Sequence, residues 1–347
     1  MNQLKTKYAA SLNPNYVRPE YPRPNLVRDS FLSLNGEWDY AVTKRPTLHT
    51  PMQGKILVPF PIESLLSGVS KGLAKGEEII YKKSFSLPEG FKKDIVLLHF
   101  EAVDYFCRVF VNGNELFSHR GGYLPFSIDI TSQLQDVNEL VVIVQDDTKN
   151  EGAATGKQRL NRGGIWYTPC SGIWQSVWLE SVPEGYFEEI RVTPNFDEKS
   201  VSFEFVTSLP KGDISIISHG KLVSKTPFRT SQINLRLPHP HLWSPEDPFL
   251  YDVEISNAFE TVKTYFGMRK VSMGESAYGP CLMLNDRPYF MNGVLDQGYY
   301  SDGIYTPASE QAFIDDILAM KSLGLNTLRK HIKIEDRRFY YQCDRLG

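Results

Sequence analysis

Toward the C-terminal end of this 347-residue sequence, Asp296, Gln297, Arg329 and His331 are the residues whose types and neighbours suit a binding rim. Asp296 and Gln297 follow one run of strand-forming residues, and Arg329 and His331 follow a second. In parallel α/β barrels the chemistry sits where the strands reach their C-terminal ends. An arginine stays charged there and offers a fork of donors, so Arg329 is expected to hold a carboxylate or a ligand hydroxyl. Asp296, Gln297 and His331 are expected to add hydrogen bonds to the same ligand. Asp296 and Asp302 are the acids of the first loop, and no two carboxylates are placed to face each other across a site. No catalytic residue is therefore assigned within the chain.

Other chemistries find no support. There is no HExxH, no GxGxxG loop and no Walker-type phosphate loop, so no cofactor is expected. Cys107, Cys170, Cys281 and Cys343 lie far apart without a CxxC pair. Neither a metal site nor a disulfide framework is expected, and reduced thiols point to a cytoplasmic protein. The opening residues, Met1 to Lys7, lack the apolar stretch of a secretion signal. A net charge of −3 gives no field for nucleic acid or an anionic membrane, and no apolar run reaches the length of a membrane span. Trp166, Tyr167 and Trp174 are weighed as stacking platforms, but packing between sheets is preferred for all three, as it is for Trp38.

The elements that must position the rim follow from periodicity. From about residue 30 to 183 short β segments alternate with turns, including 94–100, 105–111, 138–145 and 173–180. Asn112-Gly113 marks a hairpin. Many short strands without helical periodicity mean a sandwich, and the length favours a jelly roll. After a linker at Val182-Pro183-Glu184-Gly185, strands at 188–193, 201–206, 213–218, 232–237 and 250–255 have the texture of an immunoglobulin-like sandwich. Beyond Gly274 the pattern changes to strand 289–295, a helix opening at Thr306-Pro307, strand 325–328 and a helix over 335–346. That is β-α-β-α, the opening of a parallel α/β fold. Two such strands cannot cover both faces of their sheet, so this last unit is expected to be unfinished.

The order of these pieces resembles glycoside hydrolase family 2. Leu34-Asn35-Gly36-Glu37-Trp38, Phe110-Val111-Asn112-Gly113, His119-x-Gly121-Gly122-Tyr123-x-Pro125-Phe126 and Ser171-Gly172-Ile173-Trp174 are similar to motifs of its sugar-binding domain. Phe266-Gly267-Met268-Arg269 resembles its step toward the barrel, and Leu284-Asn285-Asp286-Arg287-Pro288 the turn that follows. Asp316-Ile317-x-x-Met320-Lys321-x-x-Gly324-x-Asn326-x-x-Arg329 resembles its barrel signature. The resemblance implies a mainly β chain in three parts. These are a jelly-roll sugar-binding domain over 1–183, an immunoglobulin-like sandwich over 184–273, and the first two units of a TIM barrel over 274–347. It also implies retaining cleavage of β-linked sugars by two glutamates on later barrel strands, beyond this chain.

Asp296-Gln297 stands where the family has His-Glu, and Ile332 where it has His, which points to a divergent branch with its own substrate. The expected partners are a carbohydrate substrate and, as an open question, further copies of the chain. The alternative is a non-catalytic carbohydrate-binding protein of two sandwiches with a barrel stub.

Overall fold

The computed structural model describes residues 4–146 and 153–347, and the chain is mainly β. Two antiparallel sandwiches come first. In the first, a six-stranded sheet runs in the order Gly54–Val58, Gly36–Thr43, Glu78–Phe85, Asn138–Gln145, Phe106–Val111 and Asn114–Arg120. It faces a four-stranded sheet of Leu32–Ser33, Val177–Val182, Ile95–Phe100 and Phe126–Asp129. Alternating side chains from both sheets fill the space between them, with Trp38, Tyr81, Phe100, Val109, Val142 and Leu179 buried in one cluster. The expected hairpin forms at Asn112-Gly113, both in left-handed backbone with φ of 51° and 85°. That is the conformation a two-residue turn between twisted strands requires.

The second sandwich pairs Glu189–Asn195, Ser200–Val206 and Gln232–Arg236 against Lys221–Phe228, Gly212–Ser218, Tyr251–Ser256 and Thr261–Phe266. Phe187, Phe203, Ile214, Val253 and Val262 form its core. The strands at 221–228 and 261–266 have no counterpart in the sequence reading. In the first, Leu222 and Val223 lie side by side and both are exposed, so its apolar residues do not alternate.

The N-terminal segment ties the regions together. Val27 exchanges backbone hydrogen bonds with Lys263 at 2.8 and 2.9 Å. Buried Arg28 lies 2.7 Å from Glu260 of the second sandwich and 3.0 Å from Glu180 of the first. Arg18 reaches Asp336 at 2.8 Å, and Asp302 accepts from both the backbone and the hydroxyl of Thr6 at 2.7 Å.

The C-terminal region holds a short antiparallel sheet, Val271–Ser276, Gly279–Leu284 and Arg287–Pro288, then strands Gly293–Asp296 and Thr327–Lys330 paired in parallel. Helices Gln311–Ser322 and Arg337–Leu346 pack on that pair through Phe313, Ile317 and Phe339.

Four boundaries here differ from expectation, the first being the strand read at 289–295, which spans only Gly293–Asp296. The first helix starts at Gln311, because the Thr306 hydroxyl is spent on the Trp174 carbonyl and caps nothing. The second parallel strand lies two residues later than 325–328, where pairing with 293–296 fixes it. The last helix begins after Asp336, whose carboxylate accepts from the Arg338 amide, and Glu335 stays outside it. Among the described residues no helix is long and apolar enough to cross a membrane.

Candidate functional site at the parallel-strand rim

Register decides which side chains can meet. Leu295 pairs with Arg329, and Asp296 with Lys330. Side chains alternate across a strand, so Leu328 and Lys330 face the helices while Leu295 and Arg329 face the opposite side. Leu328 packs beside Phe313 and Phe339, and the Lys330 ammonium lies 4.0 Å from the Phe339 ring. Arg329 is exposed and forms no ion pair among the described residues. Asp296 and Arg329 thus lie within the strands, rather than just past them as expected, and Gln297 and His331 follow directly.

Asp296 is not free to meet a ligand alone. One oxygen accepts from the Gly298 amide at 2.8 Å and the other from the Lys330 ammonium at 2.7 Å. Lys330 also lies 3.0 Å from Glu335, which lies 2.9 Å from Lys333. Lys333 in turn donates to the carbonyls of Gly298 and Tyr305, each at 2.8 Å. This chain of two acids and two lysines was missed in the sequence. Its signal was present as three charges within six residues, Lys330, Lys333 and Glu335, directly after a parallel strand. Gly298 makes room for it: φ is 61°, and a Cβ there would overlap the Glu335 carboxylate.

The electrostatics follow from burial and pairing. Burial alone would raise the Glu335 pKa, but Lys333 and Lys330 outweigh it and hold the carboxyl below its ordinary value. Burial lowers the Lys333 pKa, and Glu335 offsets only part of that. For Lys330, its two carboxylates overcome burial and raise the pKa. Glu335 is therefore a fixed anion bracing two ammoniums.

Beside this network two polar atoms are enclosed without a hydrogen-bond partner among the described residues, Gln297 Oε1 and His331 Nδ1. The His331 amide donates to the Asp296 carbonyl at 2.8 Å, which continues the pairing of the two strands past Lys330. Burial lowers the His331 pKa, with the charges of Lys157 and Arg329 acting in the same direction. All four rim residues named from sequence are thus brought to one end of the strand pair, with Asp296 engaged and Arg329 unengaged.

Beside these residues, Tyr167 and Trp174 of the first sandwich meet Tyr299 and Tyr305 of the C-terminal region. The Tyr305 ring lies 5.1 Å from Trp174 and 4.9 Å from Tyr299, and Tyr167 lies 4.5 Å from Tyr299. Trp174 is buried and donates to the Gly122 carbonyl at 2.7 Å, so it packs as core. Trp166, expected in the core, is 36% exposed.

Other candidate groups lie elsewhere. Glu63 and Asp104 are buried acids of the first sandwich. Burial pushes the Glu63 carboxyl up to about 8, and one of its oxygens accepts from the Ser171 amide at 3.0 Å. Gly68-Val69-Ser70-Lys71-Gly72 has the spacing of a hydrolase nucleophile elbow, and Ser70 has a φ of 55°. It sits in a loop with neither the strand nor the helix such an elbow needs, and its hydroxyl donates to the Ser64 carbonyl at 3.2 Å.

Comparison with known proteins defines the family. Residues 67–171 match the family model described as glycosyl hydrolase 2 galactose-binding domain-like, and residues 186–269 match that of glycosyl hydrolases family 2. A β-galactosidase of Thermoanaerobacter pseudethanolicus is 26% identical over 293 residues, covering 77% of this chain and 38% of the relative. A β-glucuronidase of Rattus norvegicus is 24% identical over 309 residues, covering 77% of this chain and 46% of the relative. The solved Faecalibacterium prausnitzii β-glucuronidase superposes with a TM-score of 0.77 at 20% identity, over 94% of this chain and 60% of its own. The chain thus spans less than half the length of these two curated relatives. It belongs to glycoside hydrolase family 2, as an N-terminal portion of a member.

Proposed function

We propose that the chain is the N-terminal part of a retaining β-glycoside hydrolase acting on O-glycosyl bonds. In this reading 1–183 is a jelly-roll sugar-binding domain, 184–273 an immunoglobulin-like sandwich, and 274–347 the first two units of a TIM barrel. The observation that carries it is the succession of two family-2 segments followed by a parallel strand pair with Arg329 on the face opposite its helices. In a closed barrel that face is the interior, where an unpaired guanidinium can hold a carboxylate or a sugar hydroxyl. Asp296, Gln297 and His331 then line the substrate side of the same rim. Four free cysteines fit a cytoplasmic protein.

Retention requires two carboxylates roughly 5–5.5 Å apart, one of which must carry a proton. Asp296 and Glu335 both touch Lys330, yet neither suits the task. Glu335 has a side chain only 1% exposed and a depressed pKa, the opposite of a general acid, and Asp296 is tied to Lys330 and Gly298. We place the catalytic glutamates on other strands of the barrel.

The test is a panel of nitrophenyl β-glycosides given to the 347 residues and to whatever polypeptide the reading frame encodes past Gly347. Turnover by a longer product, with none by the 347 residues, is expected. Turnover by the 347 residues themselves would refute the placement of the glutamates. Carbohydrate binding without turnover in any form would favour the non-catalytic alternative.

A further inference from the structure

The loop between strand Gly293–Asp296 and helix Gln311–Ser322 is held at its base, its middle and its tip. At the base, Lys333 donates to the carbonyls of Gly298 and Tyr305, each at 2.8 Å, and draws the two ends together. Farther out, Tyr300 and Ile304 exchange backbone hydrogen bonds at 2.8 and 2.9 Å. Asp302 stands midway between them, at the tip.

That tip is plugged into the rest of the protein. Asp302 is wholly buried, and residues 303–308 are buried after it. Its carboxylate accepts from the Thr6 amide and the Thr6 hydroxyl, both at 2.7 Å. Its carbonyl accepts from the Leu66 amide at 3.0 Å. Leu66 sits in a buried cluster with Val17, Leu57, Phe60 and Ala308, on which Tyr8 and Leu12 pack. A Cβ at Gly303 would overlap the Thr306 carbonyl and press on the Leu66 side chain. On the other flank, the Thr306 hydroxyl donates to the Trp174 carbonyl, and the Tyr305 hydroxyl lies 3.2 Å from that of Tyr123. The N-terminal segment and the first sandwich thus grip a loop that belongs to the C-terminal region.

An apolar side chain would bury this tip at less cost in desolvation. A carboxylate does something an apolar group does not. It accepts directional, charge-assisted hydrogen bonds, here two from one residue, and so fixes where the tip stands. The far end of the same loop carries Gln297, next to Gly298, whose amide is held by Asp296 at 2.8 Å. A loop pinned from tip to base passes the placement of one end to the other.

We propose that Asp302 is a positioning residue: through Thr6 it lets the N-terminal segment and the first sandwich set where the first rim loop, and Gln297 with it, stands beside the substrate. This rests on reading the rim as a glycosidase site, and adds to it a role for a residue too deeply buried to touch the sugar.

Nuclear magnetic resonance on the full 347-residue chain reads the rim without any bond being cleaved, through the Gln297 side-chain amide and the His331 ring. Hydrogen exchange reports on the loop in the same samples. Thr6→Ala removes one donor and keeps the amide, and Asp302→Asn removes the charge and keeps the shape. Each is expected to speed exchange across 299–305 by roughly tenfold, as the loss of one charge-assisted hydrogen bond implies. Each should also shift the Gln297 amide, with Asn138–Gln145 unchanged. Thr6→Ser restores the donor and should return both signals to wild type. If Asp302→Asn does not fold, the two Thr6 variants decide. In a longer product that turns over, Thr6→Ala should lower kcat/KM roughly tenfold and Thr6→Ser should recover it. An unmoved Gln297 amide in Thr6→Ala, with or without faster loop exchange, would overturn the proposal. So would failure of Thr6→Ser to recover, or an unchanged kcat/KM. If no form turns over, the glycosidase reading fails while the resonances still decide whether the tip sets the rim, so the two failures are told apart.

Discussion

Removing Glu335 perturbs the structure where two lysines depend on one buried carboxylate. In Glu335→Ala, Lys330 keeps Asp296 at 2.7 Å, but Lys333, whose side chain is 1% exposed, keeps only the carbonyls of Gly298 and Tyr305. Breaking a buried pair from one side leaves an uncompensated charge and costs about 3–5 kcal/mol. The unit that must absorb this is small. Phe313, Ile317 and Phe339 are the buried apolar side chains between its helices and strands, worth roughly 1.5–3 kcal/mol each before conformational entropy is subtracted. The loss is comparable with the whole local margin, so the unit should open while the sandwiches stay folded. Hydrogen exchange followed by mass spectrometry is the assay. Protection should fall across 293–296, 327–331 and the helix Arg337–Leu346, and remain unchanged in Asn138–Gln145 and Tyr251–Ser256. Glu335→Gln, which keeps the volume and one acceptor, should show a smaller loss. Protection in Glu335→Ala equal to wild type would refute the claim that this network holds the rim together.

Three further outcomes follow from buried ionisable groups. Arg28→Ala should destabilise the chain by about 3–5 kcal/mol in denaturant unfolding, because it leaves buried Glu260 without its cation at the junction of the sandwiches, while Arg23 stays on Glu180. A loss under ~1 kcal/mol would show that the junction does not depend on it. Glu63 has a folded pKa near 8 against an ordinary 4.5, so the folded state holds the extra proton and stability falls as pH rises between those values. Glu63→Gln keeps an acceptor for the Ser171 amide and removes that loss, so its melting temperature should gain on wild type with rising pH. A pH-independent difference would contradict the raised value. Glu335 has the opposite sign: its depressed pKa stabilises the folded unit above 4.5, and that stability is lost as pH falls through the folded value. Acid titration followed by hydrogen exchange should therefore release 293–346 before either sandwich, and simultaneous release would sink this reading.

What the sequence made legible was set by short-range chemistry. The strand 138–145 was readable to the residue, as an apolar run bounded by polar residues, and Asn112-Gly113 named its own turn. What escaped was decided by partners distant in sequence. The alternation of 173–180 reads as one strand, yet it splits into Gly172–Ile173 and Val177–Val182, because Trp174 turns to bond the Ala102 carbonyl. Thr306 looked like a helix cap until Trp174, more than a hundred residues earlier, claimed its hydroxyl. Glu335 reads as the first residue of the last helix, since nothing local announces that Lys330 and Lys333 turn inward to it. The place of Asp296, Gln297, Arg329 and His331 at one end of the strand pair was legible, because a strand's end can be read without knowing its partners. Their bonding was not, because it depends on which face each residue takes once register is fixed.

The measurement that bears most directly on the central claim is the steady-state kinetics of Arg329→Ala in the longest active form of the protein, on whichever nitrophenyl β-glycoside that form cleaves. Arg329 is exposed on the open face of the strand pair and unpaired among the described residues, so its removal should leave the melting temperature within a degree or two. Its place at the proposed barrel mouth predicts a fall in kcat/KM of roughly a hundredfold or more, from misplacing a catalytic carboxylate or the sugar. Unchanged kcat/KM would contradict the account, since the residue aimed most plainly at the substrate face would then have no part in the reaction.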